Sequence, residues 1–188
     1  MYETEAELAA LDDLLARSRA GASGHLRAII DEPHAADARE IVEYCTGMRV
    51  ISLATVTEWS EPRISALDGH FLHGTWIFST SGASAKARHL QARPAVSVAY
   101  VDGERFALFA HGRAVWMRPD DPAHDPTVQH WTRHYGSSPY ALGPDVRVYR
   151  LEPAWMVGYR EPVAPQESRR VRAAGASVTA GEAEFKTD

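Results

Sequence analysis

The spacing of apolar residues changes from a helical to a strand pattern near residue 47. Before that point, leucines recur at three- and four-residue spacing over Glu3–Arg19, which predicts an amphipathic helix. The sequence further predicts a short helical turn over His25–Asp31 and a second helix over Ala36–Cys45. We interpret residues 1–46 as a helical appendage that packs on the outside of the body or on a partner subunit.

Beyond residue 47, short segments rich in β-branched and aromatic residues alternate with turn residues, a pattern typical of strands. The predicted strands span residues 49–57, 62–71, 75–80, 95–101, 105–117, 146–151 and 154–159, and a helix is predicted over Thr127–Tyr135. His73-Gly74 and Asp102-Gly103 are turn signals, and Gly112 inside a strand predicts a bulge or a close backbone approach.

Five to seven short strands, with one helix inserted after the third, favour a small antiparallel barrel over a doubly wound sheet. The predicted fold is mainly β with appended helices. We assign residues 47–160 to the barrel and residues 161–188, which are polar and poor in apolar side chains, to a disordered tail.

Composition narrows the class of protein. The chain has 188 residues, a formal charge of −5 and one cysteine, Cys45. These values predict one domain, no nucleic-acid partner and no internal disulfide. No apolar run reaches the roughly eighteen residues of a membrane span, and the N-terminus is acidic, so we predict no membrane partner and a cytoplasmic location.

The stretch Phe78–Pro94 joins a strand end, a loop rich in hydroxyls and a short basic helix. Ser84 is a good N-cap residue. Lys86 and Arg88 lie in the first turns, where positive charge is unfavourable near the helix N-terminus unless an anion is bound. Free N–H groups at a helix start bind phosphate. The pattern therefore predicts an anion site, with a solvated basic surface turn as the alternative.

The run from Met48 to Met117 resembles the pyridoxamine 5′-phosphate oxidase-like, FMN-binding split β-barrel superfamily, which includes flavin- and deazaflavin-dependent oxidoreductases. The matching segments are LATV, PRISALDG, FSTSGASAKARHLQARPAVSV and HGRA, and the spacing T-x-x-x-S-x-K-x-x-x-L-x-x-x-P is the most specific part. Arg93 departs from the asparagine that often precedes the proline. The second strand has few basic residues and no C-terminal arginine-rich motif is visible, which argues against pyridoxamine phosphate as the substrate.

The resemblance implies a homodimer with two cofactors, FMN or alternatively the deazaflavin F-420, bound at the subunit interface. Carried over residue by residue, the phosphate candidates are Thr80, Ser81, Ser84, Lys86 and Arg88. Arg63, Ile64 and Ser65 would flank the isoalloxazine ring or the ribityl chain, and Trp155 would reach the partner's ring or cover a substrate. For Arg63 the alternative is a surface salt bridge, and for Trp155 it is ordinary packing.

The implied function is hydride transfer to or from a small organic substrate. A flavin-type cofactor carries this chemistry itself, so the site needs no nucleophile or catalytic triad, and we assign no catalytic residue. The alternatives are a non-catalytic flavin or haem carrier on the same barrel, and a barrel whose site has decayed. No metal site is predicted, although His130 and His134 are spaced for one. For F-420, a polyglutamate tail would need basic residues, for which the candidates are His25, Arg27, Arg39 and Arg49.

Overall fold

Six antiparallel strands close into a barrel, preceded by three helices. The computed structural model describes residues 2–162. The strands are β1 (Met48–Val56), β2 (Pro62–Leu72), β3 (Thr75–Ser81), β4 (Ala95–Asp102), β5 (Phe106–Met117) and β6 (Val146–Arg160). The helices are α1 (Glu5–Ala20), α2 (Gly24–Ile29), α3 (Ala38–Tyr44), α4 (Ala85–Ala92) and α5 (His124–Tyr135), with a 3-10 turn at Pro139–Leu142. The strand order is β1-β2-β3-β6-β5-β4, which confirms the predicted mainly-β barrel with appended helices.

Alternating side chains fill the barrel, as expected when one face of each strand is buried. Trp76, Phe78, Phe106 and Leu53 are fully buried in one continuous core. Phe78 stacks on Tyr149 of the neighbouring β6, with ring centroids 5.6 Å apart. The core therefore fixes which way β3 faces, and this decides where its polar end points.

The N-terminal helices pack directly on the barrel. Leu8, Leu11 and Leu15 of α1 are buried in the same apolar cluster as the barrel core. A capping box at Thr4 and Glu7 sets the start of α1. The division into an appendage (1–46) and a barrel (47–160) stays a prediction, and residues 163–188 of the predicted tail lie outside the described residues.

Two elements differ from their predicted form. The segments predicted as separate final strands are one strand, β6, and Pro153 lies opposite Gly112 at a register shift in the β5–β6 ladder. A Cβ at Gly112 would lie 2.1 Å from the Glu152 carbonyl oxygen, so the predicted close approach is confirmed. Helix α5 begins at His124 rather than Thr127, because Pro126 is tolerated within a first helical turn.

β2 and β3 are paired only over the four residues of each strand that lie nearest their connecting turn. The ladder runs from Leu72–Thr75 to Gly69–Phe78, and beyond it β3 pairs only with β6. Residues 62–68 of β2 continue instead along β1. The barrel wall is therefore split beside the last residues of β3.

Candidate functional site

The end of β3 and the start of α4 bring two of the predicted hydroxyls together at a segment, residues 80–88, that we call the β3–α4 junction. Thr80 Oγ1 and Ser84 Oγ are 3.0 Å apart. Ser84 also caps α4, since its Oγ accepts from the Ala87 amide at 3.1 Å. The hydroxyls of the junction are therefore held in place by the helix cap rather than left to rotate in solvent.

The backbone amides of the junction are only partly satisfied. The Gly82 amide donates to the Asp145 carbonyl at 2.8 Å, and the Ala83 amide donates to the Asp145 carboxylate at 3.1 Å. Ser81 Oγ donates to the same carboxylate at 2.9 Å. The amides of Ala85 and Lys86, which open α4, have no hydrogen-bond partner within the described chain, as first-turn amides do unless something caps them.

Four basic side chains surround this junction. Lys86 and Arg147 form no ion pair with any carboxylate of residues 2–162. Arg147 lies opposite Thr80 in the β3–β6 ladder, and its Nε would be 2.8 Å from a Cβ placed on Gly82. The guanidinium carbons of Arg147 and Arg118 lie 4.7 Å and 4.8 Å from the Trp116 ring centroid. The fourth, Arg88, donates to the Ala83 carbonyl at 2.8 Å.

The sequence reasoning missed Arg147, Arg118, Trp116 and Asp145. All four come from β5, β6 or the residues beside them, more than twenty-five positions from the junction in sequence. Only the pairing of β3 with β6 brings them to the junction, and no local sequence pattern predicts that pairing. A lone Asp145 directly before a strand also looks like an ordinary turn residue.

The three candidates on β2 lie across the split. Arg63 Nη2 is 2.6 Å from Glu61 Oε2, so its guanidinium takes part in the surface ion pair that was the alternative for it. Ile64 is 75% exposed, and Ser65 is half-buried. No hydrogen bond joins these residues to the β3–α4 junction within the described chain.

Trp155 lies on the outside of β6, far from the junction. Its ring stacks on His111 with centroids 4.6 Å apart. Successive strand pairings place Ile64, Ala54, Ser97, His111 and Trp155 in one row around the barrel. Among residues 2–162, the aromatic ring that Trp155 stacks on is that of His111, and no hydrogen bond joins Trp155 to Arg63, Ile64 or Ser65.

A second polar cluster lies on the other side of β3, beneath α5. His70 is 1% exposed, and both its ring nitrogens are hydrogen-bonded: Nδ1 to His130 Nε2 at 3.0 Å and Nε2 to the Tyr135 hydroxyl at 3.1 Å. Burial, with added repulsion from His130 and His134, lowers the pKa of His70 to about 4. Burial and the nearby Asp68 carboxylate raise the pKa of Tyr135 to about 12. His70 and Tyr135 are therefore both neutral around pH 7.

The other histidines do not gather into a metal site. His73 pairs with Glu7 at 3.0 Å, on the opposite side of its turn from His70. Within residues 2–162, no group of three or more His, Cys, Asp or Glu side chains is arranged to hold a metal ion. No helix in that same range is long and apolar enough to cross a membrane.

A family model described as pyridoxamine 5′-phosphate oxidase matches residues 37–158, most of the barrel and the last of the N-terminal helices. The chain belongs to this family. The resemblance drawn from the run Met48–Met117 is thereby confirmed. Among curated proteins, none matches the sequence significantly.

Solved structures share the family's split-barrel fold. A conserved hypothetical protein of Mycobacterium tuberculosis matches with a TM-score of 0.59 at 18% identity, over 73% of this chain and 98% of that one. HutZ, the haem storage protein from Vibrio cholerae, matches with a TM-score of 0.55 at 19% identity, over 64% and 93%. An FAD-binding protein from Mesorhizobium loti matches with a TM-score of 0.52 at 20% identity, over 66% and 93%. At these identities the likeness concerns the fold.

Proposed function

We propose that the protein is a flavin-type oxidoreductase that holds the phosphate of FMN at the β3–α4 junction of a homodimer. The observation that carries the proposal is the junction itself. Two hydroxyls 3.0 Å apart and the amides of Ala85 and Lys86, which lack partners within residues 2–162, meet the cationic side chains of Lys86 and Arg147 there. Positive charge beside a helix N-terminus is unfavourable until an anion binds, and a phosphate monoester supplies both charge and acceptors.

The proposed contacts follow from that geometry. Thr80, Ser84 and Lys86 bind the phosphate directly, and Ser81 does so once it leaves Asp145. Arg88 adds charge from further along α4, although its guanidinium is already hydrogen-bonded to the Ala83 carbonyl at 2.8 Å. Across the split, the backbone and side chains of Arg63, Ile64 and Ser65 flank the ring or the ribityl chain.

A homodimer explains an apolar surface that the helices leave uncovered. The outward faces of β1, β2 and β4 expose Val50, Ile64 and Val101 by 60%, 75% and 56%. Between them lie the small residues Ser52, Ala54, Ala66, Ser97 and Ala99, and the exposed Asp68 lies opposite Val50 on the same face. Exposed apolar patches of this kind mark interaction surfaces.

FMN is favoured over F-420 by the state of the basic residues that would bind a polyglutamate tail. Arg39 is paired with Glu5 at 2.6 Å. Arg49 donates to the Tyr44 carbonyl at 2.9 Å and lies over the Tyr100 ring. Arg27 donates to the Ala22 carbonyl. F-420 would require these side chains to exchange their present partners, which costs little for the exposed Arg39–Glu5 pair, whereas the phosphate that the two cofactors share needs only the junction.

Bound flavin supplies hydride transfer, and the protein supplies position and electrostatics. Arg63 is the cation nearest the proposed ring site on β2, and a nearby positive charge favours the reduced anionic ring. To act in this way Arg63 must exchange Glu61 for the ring. This exchange is inexpensive because an exposed ion pair contributes at most about 1 kcal/mol.

Lys86 gives the most direct test. Purified protein is titrated with FMN, and binding is followed by quenching of flavin fluorescence for the wild type, Lys86→Ala and Lys86→Arg. Losing one charge-assisted contact to phosphate corresponds to about 1.5–3 kcal/mol, so Lys86→Ala should weaken binding about ten- to a hundredfold. Lys86→Arg should retain most of it. Unchanged affinity in Lys86→Ala would overturn the phosphate assignment.

The dimer is tested separately. Ile64→Glu places a charge in the middle of the apolar face without touching the core, because Ile64 is 75% exposed. Sedimentation should give a dimer for the wild type and a monomer for this variant, and the variant should lose FMN affinity. A Trp59→Glu variant, exposed by 75% on the β1–β2 turn, serves as the control of equal charge. A monomeric wild type would refute the interface.

The haem-carrier alternative has one observation of its own. His111 is exposed on the outer row, and its Nδ1 contacts Ser97 Oγ at 2.8 Å, so Nε2 is available as a ligand. Haem binding with a visible absorbance change lost in His111→Ala, together with absent FMN binding, would favour the carrier. FMN binding followed by reduction with a nicotinamide donor would favour the enzyme.

A further inference from the structure

A separate cavity opens between β2, β3 and the end of α5. Its volume is about 370 Å³. Sites for small organic ligands commonly have volumes of about 300–1,000 Å³. Its walls carry one carboxylate, four hydroxyls and no basic side chain, and the residues that matter here are Asp68, Ser79, Trp131, Tyr135, Ser138 and Leu142. We call it the Asp68 cavity. Its composition is opposite in charge to the β3–α4 junction.

A chain of hydrogen bonds leads into this cavity from the surface, and its polarity can be worked out. The Tyr135 hydroxyl donates to Asp68 Oδ2 at 3.2 Å. Its oxygen is then left to accept, so His70 Nε2 carries a proton and donates to it at 3.1 Å. A neutral His70 must therefore accept at Nδ1, and His130 Nε2 donates to it at 3.0 Å.

The chain continues in the same sense to the N-terminal segment. With Nε2 protonated, a neutral His130 accepts at Nδ1 from the Tyr2 hydroxyl at 3.2 Å. The histidine chain, Tyr2–His130–His70–Tyr135–Asp68, thus runs in one direction and ends on a carboxylate. With both histidines neutral, every ring nitrogen and every hydroxyl of the chain has a hydrogen-bond partner. The chain holds Asp68 as an acceptor, because its only donor along the chain is the Tyr135 hydroxyl.

The other oxygen of Asp68 is left for the cavity. Asp68 Oδ1 has no hydrogen-bond partner among residues 2–162, and no lysine, arginine or histidine of that range forms an ion pair with Asp68. Trp131 in the cavity wall is buried, and its Nε1 has no partner within the same residues. Asp68 is exposed at the cavity rim, so its free oxygen meets water until a ligand replaces it. A carboxylate without a cation, beside the indole ring and the apolar Leu142 side chain, favours a ligand that is both cationic and flat.

We propose that the Asp68 cavity binds a planar organic cation, of the amidinium or aryl-ammonium class, whose N–H groups donate to Asp68 and whose ring packs between Trp131 and Leu142. An anion would meet an uncompensated carboxylate there. Neutral aromatic molecules would leave that carboxylate unpaired. The proposal does not depend on flavin binding, since none of the residues that carry it belongs to the β3–α4 junction.

The probe is benzamidine, with the neutral and nearly isosteric benzamide as its control. Binding to the full-length protein is measured by calorimetry in low-salt buffer. The wild type should bind benzamidine at least tenfold more tightly than benzamide. Asp68→Asn should lose at least tenfold in benzamidine affinity, whereas Asp13→Asn, on the exposed face of α1, should not change it.

A second variant protects the test against misfolding of Asp68→Asn. Leu142 is 86% exposed at the cavity mouth, so Leu142→Arg adds a competing cation without disturbing the core. It should weaken benzamidine binding at least threefold and leave the unfolding midpoint in urea unchanged. Equal binding of benzamide and benzamidine by the wild type, no binding of either, or full affinity in both variants would each overturn the proposal.

Discussion

Two polar regions lie on opposite faces of the end of β3. One contains basic side chains without carboxylate partners, and the other is a chain of hydrogen bonds that ends on a carboxylate. Thr80 faces the β3–α4 junction, and its neighbour Ser79 faces the Asp68 cavity, because successive strand residues point to opposite sides. At the junction, Lys86 and Arg147 lack carboxylate partners within residues 2–162. In the histidine chain, every ring nitrogen of His70 and His130 has a partner.

We infer from this difference that the β3–α4 junction binds a ligand and that the histidine chain stabilises the folded protein. Unpaired cations at a helix N-terminus interact unfavourably with the helix dipole, and a bound anion offsets this interaction. A completed hydrogen-bond chain has no such deficit, and its members fix α5 and the N-terminal segment to β2. Only its last member, Asp68, has an oxygen free. The two regions share no residue, so a substitution can perturb one of them at a time.

The largest expected effect is acid destabilisation through His70. Its pKa in the folded protein is about 4, against 6.5 for an unperturbed imidazole. Between these pH values the unfolded chain takes up a proton that the folded protein refuses, so stability is complete above pH 6.5 and falls as the pH drops towards 4. A shift of this size corresponds to about 3 kcal/mol of unfolding free energy for a group that is buried in the fold.

Urea unfolding of the wild type and His70→Gln at several pH values measures this term. The variant should be less stable near neutral pH but should lose less stability on acidification, by about 3 kcal/mol. His25→Gln, on the exposed side of α2, is the matched control and should follow the wild type. The groups facing His70 are His130, His134, Tyr135 and, through Tyr135, Asp68. Parallel pH profiles for wild type and His70→Gln would show that these neighbours, and not His70, carry the acid sensitivity.

The second effect concerns Arg147, the cation that β6 brings to the junction. Its guanidinium lies over Trp116 at 4.7 Å and against Gly82. If it contacts the phosphate, Arg147→Met should weaken FMN binding about ten- to a hundredfold, the usual loss for a charge-assisted hydrogen bond. Arg113→Met removes an exposed cation of β5 and should leave affinity unchanged. Loss of stability without loss of affinity would make the arginine–indole contact purely structural.

The two regions also differ in how far sequence alone reveals them. The junction is contiguous: Thr80, Ser84 and Lys86 sit within seven residues, and strand end, N-cap and basic turn each follow a local rule. The fold class was predictable for a similar reason, because alternation and turn dipeptides mark each strand. Those rules depend on neighbours in the chain.

The histidine chain could not be predicted, because its members are far apart in sequence. Tyr2, His70 and His130 meet only after α1 and α5 have packed around β2. In the sequence, His70 is spaced to pair with His73 at a turn and His130 with His134 on a helix, and neither spacing connects His70 to His130. The continuous β6 was missed for a different reason: Pro153 looks like a strand end, but opposite Gly112 it fits a register shift that only the paired strand reveals.

The smallest expected effect tests whether Asp145 competes with the phosphate. Its carboxylate accepts from Ser81 Oγ at 2.9 Å and from the Ala83 amide at 3.1 Å, the donors that an anion would use. Asp145→Asn keeps an oxygen acceptor for both while removing the charge, so it should tighten FMN binding a few-fold, equivalent to less than about 1 kcal/mol. Because the charge is exposed, the gain should shrink at high salt. Fluorescence titrations at low and high salt measure this effect. Weaker FMN binding in the variant would mean that Asp145 stabilises the loop conformation that binds the phosphate, rather than occupying the phosphate site.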